Sequence, residues 1–158
     1  MQVVALNALA HLSKSEAGGG VGESYTLGVV AALCENEDAD VRGAAVKAMG
    51  SVCKGMDAHY TDRLRPRLQD SDWSVREHAV RTLTRIGAWG GNDALAAALL
   101  QCAASDSHAA VQRAAADALV AVLSGEQAAS ARAVIKRVLQ HKTLDPRRLP
   151  QLVVVLLE

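Results

Sequence analysis

Apolar residues recur along this chain at helical spacing, and the same arrangement returns three times. In NEDADVRGAAVKAMGSV, Asn36 to Val52, the positions Val41, Ala45, Ala48, Met49 and Val52 fall on one stripe of an α-helix. DSDWSVREHAVRTLTRI, Asp70 to Ile86, repeats the stripe with Val75, Ala79, Thr82, Leu83 and Ile86, and DSHAAVQRAAADALVAV, Asp106 to Val122, repeats it with Val111, Ala115, Ala118, Leu119 and Val122. The copies start 34 and 36 residues apart (70 − 36 and 106 − 70). A nearly fixed period in that range marks a stacked array of small units, each too thin to bury its own apolar face. Thr82 is the only polar member of the three stripes, and the small residues at their middle predict close helix contacts.

Asp38 and Asp72 stand three residues before Val41 and Val75, where a carboxylate accepts the free N–H groups of a first helical turn. A second apolar segment precedes each stripe: TLGVVAALC, RLRPRLQ and DALAAALLQCAA. The unit is therefore a helical hairpin, with CKGMDAH, GAWGGND and LSGEQ as the turns between units. The ends continue the series. Met1, Ala5, Ala8, Leu9 and Leu12 match the first stripe at an offset of 40, lengthened by the Gly-rich insertion SKSEAGGGVGES, and Leu149, Val153, Leu156 and Leu157 match the third at an offset of 38. This predicts a single all-α domain over 1–158 with about nine helices: a half repeat at 1–14, full repeats at 22–54, 57–87 and 91–123, and a terminal hairpin at 126–158.

Composition narrows the function classes. Aromatic residues make up 3% of the chain and Phe is absent, so the core must be built from Ala, Leu and Val. Lys plus Arg and Asp plus Glu are both 17, which gives no global attraction to nucleic acid or to an anionic membrane. The charge is unevenly placed. Residues 1–40 hold one cation against six acids, 41–90 nine against five, 91–125 one against three, and 126–158 six against three. Cys34, Cys53 and Cys102 are far apart and odd in number, so neither a disulfide framework nor a zinc site is indicated and a reducing, cytoplasmic setting is expected. No run is long enough to span a membrane, and the N-terminus lacks the pattern of a signal peptide.

The motif Asp-x-Asp-Pro-x-Val-Arg-x-x-Ala-x-x-Ala-Leu resembles the second helix of HEAT repeats, in particular the short bacterial type also found in phycobilin lyases. Asp38, Val41, Arg42, Ala45, Ala48 and Met49 carry it first, then Asp70, Asp72, Val75, Arg76, Ala79 and Leu83, then Asp106, Val111, Ala115, Ala118 and Leu119. Ala39, Trp73 and Ala109 replace the Pro, and His108 and Gln112 replace the Asp and Arg of the third copy. The resemblance implies an α-α superhelix of stacked antiparallel hairpins, a HEAT-like solenoid. It also implies that Asp38, Arg42, Asp72 and Arg76 are structural, the arginines bonding loop acceptors of a neighbouring repeat. Second helices of such arrays line a concave groove, which would place Lys47, Arg81 and Asp117 at one level, with Asn7, and Ser51 and Arg85 at the next, with His11 and Ala121.

No catalytic constellation emerges. The five histidines are scattered without an i, i+4 pair, and the Gly-rich stretches lack the strand and the Lys-Ser/Thr ending of a phosphate loop. Cys34 occupies a repeat position that reads as a small buried hydrophobe. No catalytic, metal or cofactor site is therefore expected. Trp73 and Trp89 fit either of two roles, cover for a repeat junction or exposed anchors for a partner. The reading that follows is a non-catalytic scaffold whose groove, through Lys47, Ser51, Arg81, Arg85 and Asp117, holds an acidic or amphipathic peptide. Two alternatives rest on resemblance: a bilin lyase-like or lyase-associated protein, and a nucleic-acid-binding HEAT-like protein, the latter disfavoured by zero net charge. The terminal helices look uncapped, which predicts either a further repeat continuing the array or, the favoured reading, a homodimer formed through the ends.

Overall fold

The computed structural model describes residues 21–52, 58–86 and 93–123 together with 129, 132, 133, 135 and 136. The regular elements are α1 (Val21–Leu33), α2 (Ala39–Val52), α3 (Ala58–Leu64), a 3-10 segment (Arg65–Gln69), α4 (Trp73–Arg85), α5 (Asp93–Ser105) and α6 (Ala109–Leu123). No strand occurs among the described residues. Hairpins form from α1 with α2 and from α5 with α6, while α3 and the 3-10 segment together partner α4. Helix α4 packs on α2 on one side and on α6 on the other, and the 3-10 segment packs on α5. Two layers result, one of first helices and one of second helices.

The middle hairpin departs from the regular pattern. Its apolar run RLRPRLQ begins at the end of α3 and continues from Arg65 as a 3-10 segment in place of an α-helix, with Pro66 in its first turn. Proline lacks the N–H of an α-helical bond, and its ring clashes with the carbonyl four residues back. Leu64 and Leu68 still reach the core, at 0% and 2% exposure.

Burial follows the three stripes and then exceeds them. Val41, Ala45, Ala48 and Met49 are buried, as are Val75, Ala79, Thr82, Leu83 and Ile86, and Val111, Ala115, Ala118 and Leu119. Ala44, Val46, Val80 and Ala114 are buried as well. A second helix inside the stack touches its own first helix and the second helices of both neighbours, so a single stripe understates what it hides. The first helices contribute Leu27, Val30, Ala31, Leu95, Leu99 and Leu100, and Cys34 and Cys102 lie buried, neither of them in a disulfide. Ile135 is helical and joins the same core. Each fully buried Leu or Val contributes about 1.5–3 kcal/mol.

Two glycines let α2 and α4 approach. A Cβ at Gly50 would stand 2.7 Å from Thr82 Cγ2 and closer still to the Arg85 guanidinium, and one at Gly43 would stand 3.3 Å from the His78 ring. The gap left by Gly50 lets the Thr82 hydroxyl donate to the Val46 carbonyl across the seam at 3.2 Å. That bond accounts for the one polar residue on the stripes, since a buried hydroxyl without a partner would cost about 1–3 kcal/mol.

Candidate functional site

The loops that open the second helices share one construction. Asn36, Asp70 and Asp106 each accept the N–H two residues on, at 2.9, 3.0 and 2.8 Å, which folds the loop into an Asx turn. The next helix is then capped by the residue that donated. Asp38 accepts from the Asp40 N–H at 2.9 Å and Asp72 from the Ser74 N–H at 2.8 Å, with the Ser74 hydroxyl adding a second bond to Asp72 at 2.6 Å. His108 replaces the acid in the third loop and caps through Nδ1, accepting the Ala110 N–H at 3.3 Å. The substitution thus lengthens the cap without removing it.

Between these loops runs a ladder of arginines. Arg42 donates from Nη1 to the carbonyls of Asn36 and Glu37 in its own loop, both at 2.8 Å, and reaches the next loop with Nε and Nη2 on the two oxygens of Asp70, at 2.9 and 2.8 Å. Arg76 repeats the arrangement one unit on, with Nη1 on the carbonyls of Asp70 and Ser71 and a fork onto Asp106 at 2.8 and 2.9 Å. The acids are well covered, with Asp70 and Asp106 side chains 3% and 7% exposed. Two-point pairing of this kind is charge-assisted and fixes orientation as well as distance. Gln112 closes the series, donating to the Asp106 carbonyl at 2.6 Å and carrying no charge.

Electrostatics match this geometry. Burial is the largest single influence on Asp70 and on Asp106 and opposes ionisation, but the forked arginine, a backbone N–H and further cationic charge together outweigh it, holding both carboxyls below the usual range. Asp72 is also lowered, first by the Ser74 hydroxyl and then by the Ser74 N–H. Burial pushes the Cys102 thiol up to about 11, which favours the neutral S–H that donates to the Leu68 carbonyl.

Sequence reasoning missed several of these parts. Arg67 is a further inter-repeat link, with Nη1 on the Cys34 carbonyl at 3.1 Å and Nη2 on Glu35 at 3.0 Å. It lies in a run of arginines that reads as surface charge, and only the 3-10 turn at Pro66 aims it at the seam. Asp stands at the start of a loop in the two copies preceded by an Arg-bearing helix in the described array, and Asn36 stands at the start of the first.

On the other side of the second-helix layer lie the residues expected in the groove. Lys47, Arg81, Arg85 and Asp117 are exposed and Ser51 is half-buried, on α2, α4 and α6. Arg81 pairs with Glu77 at 2.9 Å one turn back, and Arg85 donates to the Lys47 carbonyl at 3.2 Å, so Arg85 also ties α4 to α2. Among the described residues Lys47 has no acidic partner. His78 lies between these helices with its pKa lowered, first by burial and then by Lys47, which favours the neutral ring at physiological pH. Trp73 is 41% exposed and stacks on His108 with ring centroids 3.9 Å apart, so it covers a junction and presents a face outward at once. Trp89, Asn7, His11 and the terminal segments lie outside the described residues. Among the described residues no cluster of His, Cys, Asp and Glu could hold a metal ion, and no helix is long and apolar enough to cross a membrane.

Stacked hairpins joined at each seam by the same arginine–aspartate fork define an α-solenoid. A family model described as HEAT repeats matches residues 27–120 and again 61–150, the second match starting 34 residues after the first, one repeat further along. The chain belongs to the HEAT-repeat family. Comparison with curated proteins and with solved structures gives no match.

Proposed function

We propose that this protein is a non-catalytic interaction scaffold that holds an acidic or amphipathic peptide segment in a concave groove lined by its second helices. The observation that carries the reading is a division of labour among the cations. Arg42 and Arg76 are consumed by bonds within and between loops, whereas Lys47 stands exposed on α2 and Arg81, on the adjacent α4, keeps its side chain 66% exposed even while paired with Glu77. HEAT repeats commonly serve as interaction scaffolds, and extended surfaces of this kind are what repeat arrays offer. Lys47, Ser51, Arg81 and Arg85 form the binding face, Asp117 limits it on the α6 side, and Trp73 supplies an aromatic edge. A reducing compartment suits the buried thiols of Cys34 and Cys102, and self-association through the terminal segments belongs to the same proposal, checked by sedimentation across a concentration series.

The test uses Lys47→Glu with Arg81→Glu and leaves Arg85 alone, because Arg85 also bonds the α2 backbone. Exposed charges contribute about 0.2–1 kcal/mol to stability, so the fold should survive. Anisotropy with a labelled acidic amphipathic peptide is expected to show weaker binding by the double variant and a steep loss of wild-type affinity with salt. Equal affinity of the two proteins for the peptide would remove this face from the function.

A further inference from the structure

The two seams of the array are built alike except at one point. In the first seam Arg67 stands three residues before Asp70, and the Asp70 N–H bonds back to its carbonyl at 3.3 Å. In the second seam Cys102 stands four residues before Asp106, whose N–H bonds back to the Cys102 carbonyl at 3.2 Å. Three residues of 3-10 helix and four of α-helix both rise about 6 Å, so Arg67 and Cys102 occupy the same level of their seams. Their polar atoms confirm the equivalence. Arg67 Nη1 donates to the carbonyl of Cys34, two residues before Asn36, and Cys102 Sγ donates to the carbonyl of Leu68, two residues before Asp70.

A long cationic side chain in one seam is thus matched by a short neutral one in the other. The difference in volume appears as a recess of about 270 Å³ whose lining includes Leu68, Gln69, Cys102, Ser105 and Asp106. Three of these are the counterparts of the groups Arg67 uses. The Leu68 carbonyl stands for that of Cys34, Gln69 for Glu35, and Asp106 for Asp70, which receives Arg67 Nη1 at 3.5 Å while also holding Arg42. One carboxylate therefore serves two guanidinium groups in the first seam, whereas among the described residues Asp106 has only Arg76 in the second.

We propose that the recess at the second seam is a receptor for the guanidinium of an arginine side chain presented by a docked protein chain, which takes there the place that Arg67 takes in the first seam. The planar group donates to Asp106, to the Gln69 side-chain carbonyl and toward the Leu68 carbonyl. This site is on the loop edge and is independent of the second-helix face. Gln69 offers a dipole where the first seam has the charge of Glu35, so a single arginine is held weakly and acts as one anchor of a larger contact.

The probe is N-acetyl-arginine amide, followed by amide chemical shifts of the intact chain, with the lysine and citrulline analogues alongside. Saturable millimolar shifts centred on Gln69, Cys102 and Ser105, strongest for the arginine compound, are expected. Gln69→Glu restores the acid of the first seam at an exposed position and should tighten binding about two- to fivefold. Cys102→Arg should supply the guanidinium internally and abolish the shifts. No saturable shift, equal response to arginine and lysine, or unchanged affinity in Gln69→Glu would overturn the assignment. Tighter binding of free arginine than of the capped amide would also overturn it, since recognition would then lie on the α-ammonium and carboxylate.

Discussion

Replacing Asp106 by Asn perturbs the ladder while leaving the local turn intact. Asn Oδ1 can still accept the His108 N–H, as Asn36 does for Asp38 in the first loop. What is lost is one charged oxygen under the Arg76 fork, and the new amide group points donors at donors. Arg76 keeps its bonds to the carbonyls of Asp70 and Ser71, so the cost falls below the 3–5 kcal/mol of an orphaned buried charge and is set at about 2–3 kcal/mol. Arg76→Gln should cost a similar amount, because Gln can hold the loop carbonyl as Gln112 does but leaves Asp106 without its cation. The double variant recreates a neutral rung, so it should lose less than the two single losses combined, by about 2 kcal/mol. Urea unfolding followed by circular dichroism measures all four proteins, with constant m-values as the check that a common transition is compared. Additivity within about 0.5 kcal/mol would show that the forked pair contributes nothing to the seam.

Acid should act on the same rungs. Asp70 and Asp106 have folded pKa values below their unfolded ones, so their contribution is present above the unfolded value of about 4 and is lost as pH falls through the folded values. Denaturation midpoints should therefore drop below about pH 4, and the drop should be shallower in the Arg76→Gln, Asp106→Asn protein; identical profiles would exclude the pair as its cause. Gly50→Ala and Gly28→Ala should have opposite signs. The first forces a methyl against Thr82 and should cost about 1–2 kcal/mol after the gain in helix propensity, while the second meets nothing within 4 Å and should add about 0.5–1 kcal/mol. Matching melting-temperature shifts would refute the close contact of α2 with α4. Thr82→Val removes the bond to the Val46 carbonyl and should cost about 1 kcal/mol in thermal unfolding; a neutral result would mean that the hydroxyl does not cross the seam.

Much of this architecture is legible in the chain because a repeat states its rules three times. The stripe positions, the capping Asp38 and Asp72 and the recurring Arg42 and Arg76 each gain weight by returning in phase. Features that occur once are hidden. Nothing in the periodicity signals that Pro66 turns a helix into a 3-10 segment, that Arg67 reaches back to Cys34, or that His108 can cap through a ring nitrogen while stacking on Trp73. Burial of Val46, Val80 and Ala114 escapes a stripe analysis for a different reason: it comes from neighbouring second helices, and a single helix's pattern does not encode how many neighbours it has. The binding face is the least legible part, since exposed Lys47 and Arg81 obey no rule that the fold imposes.

The central claim is that the second helices form a row in which α4 lies between α2 and α6, each unit touching only its neighbours. Methyl-to-methyl nuclear Overhauser effects on a uniformly labelled sample test this directly. The account predicts cross-peaks between α2 and α4, including Val46 methyl to Thr82 methyl, and between α4 and α6, with none joining α2 to α6. Strong α2-to-α6 cross-peaks would mean that the helices close around one shared core, and the stacked array would be wrong.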